Sequence, residues 1–84
     1  MDSGQGIRDQ IMRALLEHEE SGAPAYVDAR GLAARLGIPV GEIEEWLRVC
    51  AGRRWVTLLP TAAGDALVVE MLTRAGRHHA KDLA

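Results

Sequence analysis

The sequence predicts a mostly helical α+β fold, a three-helix core followed by a β-hairpin and a short terminal helix, with residues 1–84 forming one domain. Three observations predict it. Apolar residues recur at helical spacing over residues 5–20 and 40–51. Two runs rich in Val and Leu, residues 55–59 and 66–72, flank a segment of Pro, Gly and Asp. Gly or Pro punctuates each of the early joins.

The first helix rests on Ile7, Ile11, Ala14 and Leu15, with Met12 and Leu16 widening the stripe, which is the pattern of a helix buried on one side. The acidic run Glu17-His18-Glu19-Glu20 leads into Ser21-Gly22-Ala23-Pro24, where Gly and Pro stop the helix. Ala25-Tyr26-Val27 is short and apolar enough for one rung of strand. The Asp28 carboxylate is then placed to accept from an unpaired amide at the start of a second helix near Ala29. Leu32, Ala33 and Leu36 give that helix its inner face, and Gly37 can take the positive φ that ends it.

Ile38-Pro39 sets the direction of a third helix over residues 40–51, because proline is accepted at a helix start and not in its interior. Its expected inner face is Val40, Ile43, Leu47 and Cys50, with Trp46 on the boundary and Gly52 as the stop. Pro60 to Asp65 connects the two strands of the hairpin. Strand alternation turns Val68 and Leu72 inward and Val69 and Met71 outward. Thr73 is a cap for the last helix, and Gly76 within it costs roughly 1 kcal/mol relative to Ala, so its presence there implies close passage past a neighbouring backbone.

The stretch GLAARLGIPVGEIEEWLRVC resembles the helix-turn-helix of MarR/PadR-type bacterial regulators in its leucine and glycine placement, and MLTRAGRHHA is similar to the entry of their last helix. The resemblance covers most of the chain and implies a winged helix-turn-helix. In that family the third helix enters the major groove and the hairpin tip touches the flanking backbone or minor groove. Carried over, those roles fall on the exposed side of the third helix and on residues 60–65.

Charge gives this expectation limited support. The net charge is −2, and nine of the ten cations are Arg, with Lys81 the exception. Residues 28–54 hold five Arg against four acids, while residues 55–73 hold Asp65 and Glu70 and no cation, so the wing meets a phosphate backbone with repulsion. With Ile43, Leu47 and Cys50 inward, a turn of about 100° per residue puts Gly41, Glu45, Arg48 and Gly52 outward, with Glu44 beside them. Arg48 has the donors for guanine, and a Glu accepts from the cytosine amino group. Glu44 and Glu45 also precede Arg48 by four and three residues, so the simplest reading of the three is a solvated ion pair on the helix surface.

The remaining chemistry is sparse. Cys50 is read as a small buried hydrophobe. His18, His78 and His79 lack the spacing of a zinc site, and no nucleophile, base and orienting group can be assembled, so no cofactor, metal or enzymatic activity is expected. No apolar run spans a bilayer and the N-terminus lacks the order of a signal peptide, which predicts a cytoplasmic protein with no membrane partner.

Two functions follow. The first is a small DNA-binding protein, a transcription regulator or accessory factor, that presents Gly41, Glu45 and Arg48 to double-stranded DNA and recruits phosphate through Arg30, Arg35, Arg48 and Arg53. The alternative is a winged helix that binds a protein partner or forms a homodimer through the hairpin or final helix. In that case one of Trp46 and Trp55 lies exposed beside Val49 instead of completing the core, or Val69 and Met71 lie outward on the hairpin.

Overall fold

The computed structural model describes the backbone of residues 3–22, 26–60 and 65–83. These residues form α1 (Ser3–Glu20), β1 (Val27–Asp28), α2 (Ala29–Leu36), α3 (Val40–Gly52), β2 (Val56–Leu59), β3 (Val68–Leu72) and α4 (Arg74–Asp82). The strands form one antiparallel sheet in the order β1-β3-β2, so the first rung and the hairpin share β3 as their centre. The sheet closes one side of the helical core. No helix among the described residues is long and apolar enough to cross a membrane.

Periodicity translates directly into burial along α1, where Ile11, Met12, Leu15 and Leu16 are buried. They meet Leu32 of α2, Ile43, Leu47 and Cys50 of α3, and Val56, Val69 and Leu72 of the sheet in one cluster, with Trp46 and Trp55 packed against it. Each of these large aliphatic side chains contributes about 1.5–3 kcal/mol by leaving water. Both indoles therefore help to complete the core.

The joins follow local chemistry. Asp28 stays extended and its Oδ1 accepts from the Arg30 N–H at 2.7 Å, which starts α2. Gly37 ends α2 at φ 68°, with its N–H donating to the Ala33 carbonyl. Thr73 caps α4 by accepting the Gly76 N–H at 3.0 Å while its hydroxyl donates to the Arg54 carbonyl. The close passage expected at Gly76 is present: a Cβ there would lie 1.8 Å from the Trp55 carbonyl oxygen.

Four expectations need correction. The first strand is Val27–Asp28 and excludes Tyr26, which is exposed; Asp28 both pairs with Val68 and caps α2. Ala23, Pro24 and Ala25 lie outside the described residues, as do Thr61 to Gly64 of the wing. Val40 is exposed, not inward, because it opens α3 before the helix reaches its neighbours. Gly52 lies inside α3. The left-handed residue that turns the chain is Arg54 at φ 62°, held by its carbonyl's bond to Thr73.

The fourth correction concerns the sheet. Thr57 pairs with Met71 but Leu58 pairs with Val69, so Glu70 is an extra residue in β3. Such a bulge shifts the alternation by one place. Val69 is buried at 1% exposure and Leu72 at 2%, while Met71 is 49% exposed. Glu70 is left beside Thr57, whose hydroxyl donates to its carboxylate at 3.2 Å.

Candidate nucleic-acid interface

α3 presents Gly41, Glu45 and Arg48 on its exposed side, on one stripe at steps of four and three. Open space surrounds the Cα of Gly41, so the first turn of the helix can be approached closely. The intrahelical ion pair expected of Arg48 does not form. Glu44 turns instead toward the base of the wing, and its Oε2 accepts the Leu67 N–H at 2.9 Å. Neither Glu45 nor Arg48 has an ion-pair or hydrogen-bond partner for its side chain among the described residues.

Folding brings Arg30 and Arg48 to one recess. Arg30 opens α2 and Arg48 lies two turns into α3; with Val40, Glu44, Asp65 and Ala66 they line an open depression of about 440 Å³ between the two helices and the wing. The Leu67 peptide holds this corner together. Its N–H meets Glu44 of α3, and its carbonyl accepts from Ala29 N–H of α2 at 2.8 Å. The recess therefore has a fixed frame and carries both signs of charge.

The other two expected phosphate contacts lie elsewhere. Arg35 reaches back to α1 and pairs with Glu17 at 2.7 Å. Arg53 caps the far end of α3, its guanidinium carbon 5.3 Å from the Trp55 ring centroid, with that of Arg8 at 5.5 Å. Trp55 is in turn stacked on His79, with centroids 3.9 Å apart and planes at 12°. His78, one residue earlier, points away toward Asp82 at 3.8 Å.

Two arginines of the sequence's scattered set are thus engaged by the acidic end of α1, since Glu19 also holds Arg77 at 2.6 Å. That acidic run is more than a solvated helix end. Sequence reasoning also missed Glu44 as a wing contact and the set of Arg8, Arg53 and His79 around Trp55; no spacing signal marks either. Beneath that set Cys50 is fully buried, and burial raises its thiol pKa to about 11 against a smaller opposing pull from Arg8 and Arg53.

The helix-turn-helix of α2 and α3, the β2–β3 wing and the rung at β1 define a winged helix. Comparison with solved structures gives the same class. ZitR of Lactococcus lactis in its apo form superposes with a TM-score of 0.70 at 14% identity, over 95% of this chain and 55% of that one. MepR, described as a transcription regulator of the Staphylococcus aureus multidrug efflux pump MepA, gives 0.72 at 13%, over 92% and 53%. E. coli MarR complexed with operator DNA gives 0.61 at 19%, over 87% and 51%. The chain therefore spans about half the length of each. The fold is the MarR-type winged helix that the sequence patterns implied. No protein-family model and no curated protein matches the sequence.

Proposed function

We propose that the protein is a DNA-binding winged helix acting in transcription regulation, with α3 as the element that enters the major groove. The observation that carries this reading is the convergence of Arg30 and Arg48, distant in sequence and free of ion pairs among the described residues, on one recess beside the exposed stripe of α3. On unselected duplex Arg30 and Arg48 hold phosphate at the edge of the groove, Gly41 lets the helix approach, and Glu45 faces the bases. Arg53 extends the contact at the far end of the helix, and Arg35 joins by exchanging Glu17 for a phosphate. The protein works in the cytoplasm, where its binding partner is duplex DNA.

A salt titration of labelled random duplex tests this. With two to four phosphate contacts per copy, the slope of log K against log salt is about −2 to −4, and Arg48→Ala and Arg30→Ala each make it shallower by about one. Absence of binding at low salt removes the proposal.

A second reading rests on Met71 and Tyr26, which are 49% and 59% exposed beside the sheet. Met71 borders a mostly apolar recess of about 230 Å³ between α1, β1, β3 and α4, with Leu15, Val27, Val69 and Leu72 in its lining. A surface of this kind suits contact with a second copy through the hairpin or final helix. Sedimentation of the wild type against Met71→Ser separates that dimer from a monomer.

A further inference from the structure

Glu45 is the residue of α3 least suited to a DNA surface if phosphate is all that is met. A carboxylate on that stripe weakens every backbone contact near it, and among the described residues no cation forms an ion pair with it. The base edges of the major groove present a different chemistry. Guanine offers the acceptors O6 and N7, cytosine offers the N4 amino donor, and the two are matched by a guanidinium and a carboxylate respectively.

Building on the DNA reading above, we infer that α3 reads two adjacent G·C pairs, with Arg48 donating to guanine O6 and N7 and Glu45 accepting from the N4 amino group of a cytosine. Both side chains are exposed and have no ion-pair or hydrogen-bond partner among the described residues, and Glu44, the other acid within reach of Arg48, is committed to the Leu67 N–H. Three residues separate them, a rise of about 4.5 Å along the helix, against about 3.4 Å between stacked base pairs. They therefore address neighbouring pairs. Arg30, beside Arg48 in the recess, fixes the register from the phosphate side.

The carboxylate also discriminates by repulsion. At its position guanine presents two acceptors, thymine an acceptor oxygen and a methyl group, and adenine an amino group next to the acceptor N7. Cytosine alone presents a donor without a competing acceptor. Leaving Glu45 facing anything else buries an unpaired charge, so its contribution is greater to selectivity than to affinity.

Selection from a random duplex pool, followed by affinity measurements on the winning and unselected sequences, tests this with the wild type and three exposed-site variants. The wild type enriches two adjacent G·C pairs, and mutating either pair lowers affinity about tenfold or more. Arg48→Ala loses the guanine and weakens binding to every duplex. Glu45→Ala loses the cytosine preference while its affinity for unselected duplex rises. Glu45→Gln moves the preference from cytosine to adenine, whose N6 and N7 suit a carboxamide. The variants' urea midpoints stay at the wild-type value, which separates reading from folding. If the wild type binds duplex without enriching adjacent G·C pairs, or if Glu45→Ala or Glu45→Gln keeps the wild-type preference, the inference is overturned and the DNA reading survives. If no duplex is bound at low salt, both fall.

Discussion

Replacing Gly76 with alanine adds one methyl group to α4, and in an exposed helix that change stabilises by about 1 kcal/mol. Here the new Cβ would stand 1.8 Å from the Trp55 carbonyl oxygen, 2.6 Å from its carbon and 2.9 Å from Trp55 Cα, whereas ordinary van der Waals contact begins at 3.4 Å. All three atoms are backbone, so no side-chain rotation relieves the clash. The oxygen itself accepts the Thr73 N–H at 2.9 Å, and Thr73 caps α4 through the Gly76 N–H. Moving either chain strains or breaks these bonds, each worth about 1 kcal/mol, on top of about 1–3 kcal/mol for overpacking. After subtracting the helix gain, the net loss is about 2–4 kcal/mol. For a domain of this size 1 kcal/mol moves Tm by about 4–8 °C, so Gly76→Ala lowers Tm by at least ~8 °C. Thermal and urea unfolding followed by tryptophan fluorescence and circular dichroism measure it. Gly6→Ala and Gly31→Ala, where nothing lies within 4 Å of the added carbon, serve as controls and stay at or above the wild-type midpoint. A Gly76→Ala protein as stable as the wild type would refute the close-approach argument.

Three further outcomes follow from the packing. Glu44→Ala leaves the Leu67 N–H without its acceptor, costs about 1–2 kcal/mol and speeds hydrogen exchange at that amide, whereas Glu44→Gln keeps an oxygen there and changes less; unchanged exchange in Glu44→Ala excludes the wing contact. Val69→Ala loses about 2 kcal/mol for two buried methyl groups, while Met71→Ala stays within about 0.5 kcal/mol; the reverse order would mean that Glu70 is not a bulge. Cys50 resists alkylation in the native state and reacts in urea. Because burial raises its pKa from 9.0 to about 11, the folded chain holds the thiol proton more tightly. Its contribution to stability is whole below pH 9 and disappears as pH climbs through 11, and a Cys50→Ser variant, whose hydroxyl does not ionise in this range, lacks that alkaline decline.

The helices were legible because burial on one side leaves a period in the residues, as Ile11, Leu15, Ile43, Leu47 and Cys50 show. Caps were legible for the same local reason: Asp28, Gly37 and Thr73 act within three or four residues of themselves. What escaped depends on pairing between distant segments. The bulge at Glu70 has no glycine to announce it, and only the offset between Thr57 and Leu58 reveals it. Arg54 takes a left-handed φ two residues after a glycine better suited to one, because Thr73 captures its carbonyl from nineteen residues away. At the candidate site the outward stripe of α3 followed from helix rotation alone. The meeting of Arg30 with Arg48, and the capture of Arg35 by Glu17, required the packing of α2 on α3 and on α1.

Trp55 donates its N–H to the Cys50 carbonyl at 3.0 Å and receives the Thr73 N–H on its own carbonyl, so the backbone of one residue joins the end of α3 to the start of α4. The methyl-free face of Gly76 is pressed on the backbone of that same residue. The seating of α3 and the start of α4 are therefore set together by the backbone of Trp55, so a substitution that displaces one bears directly on the other.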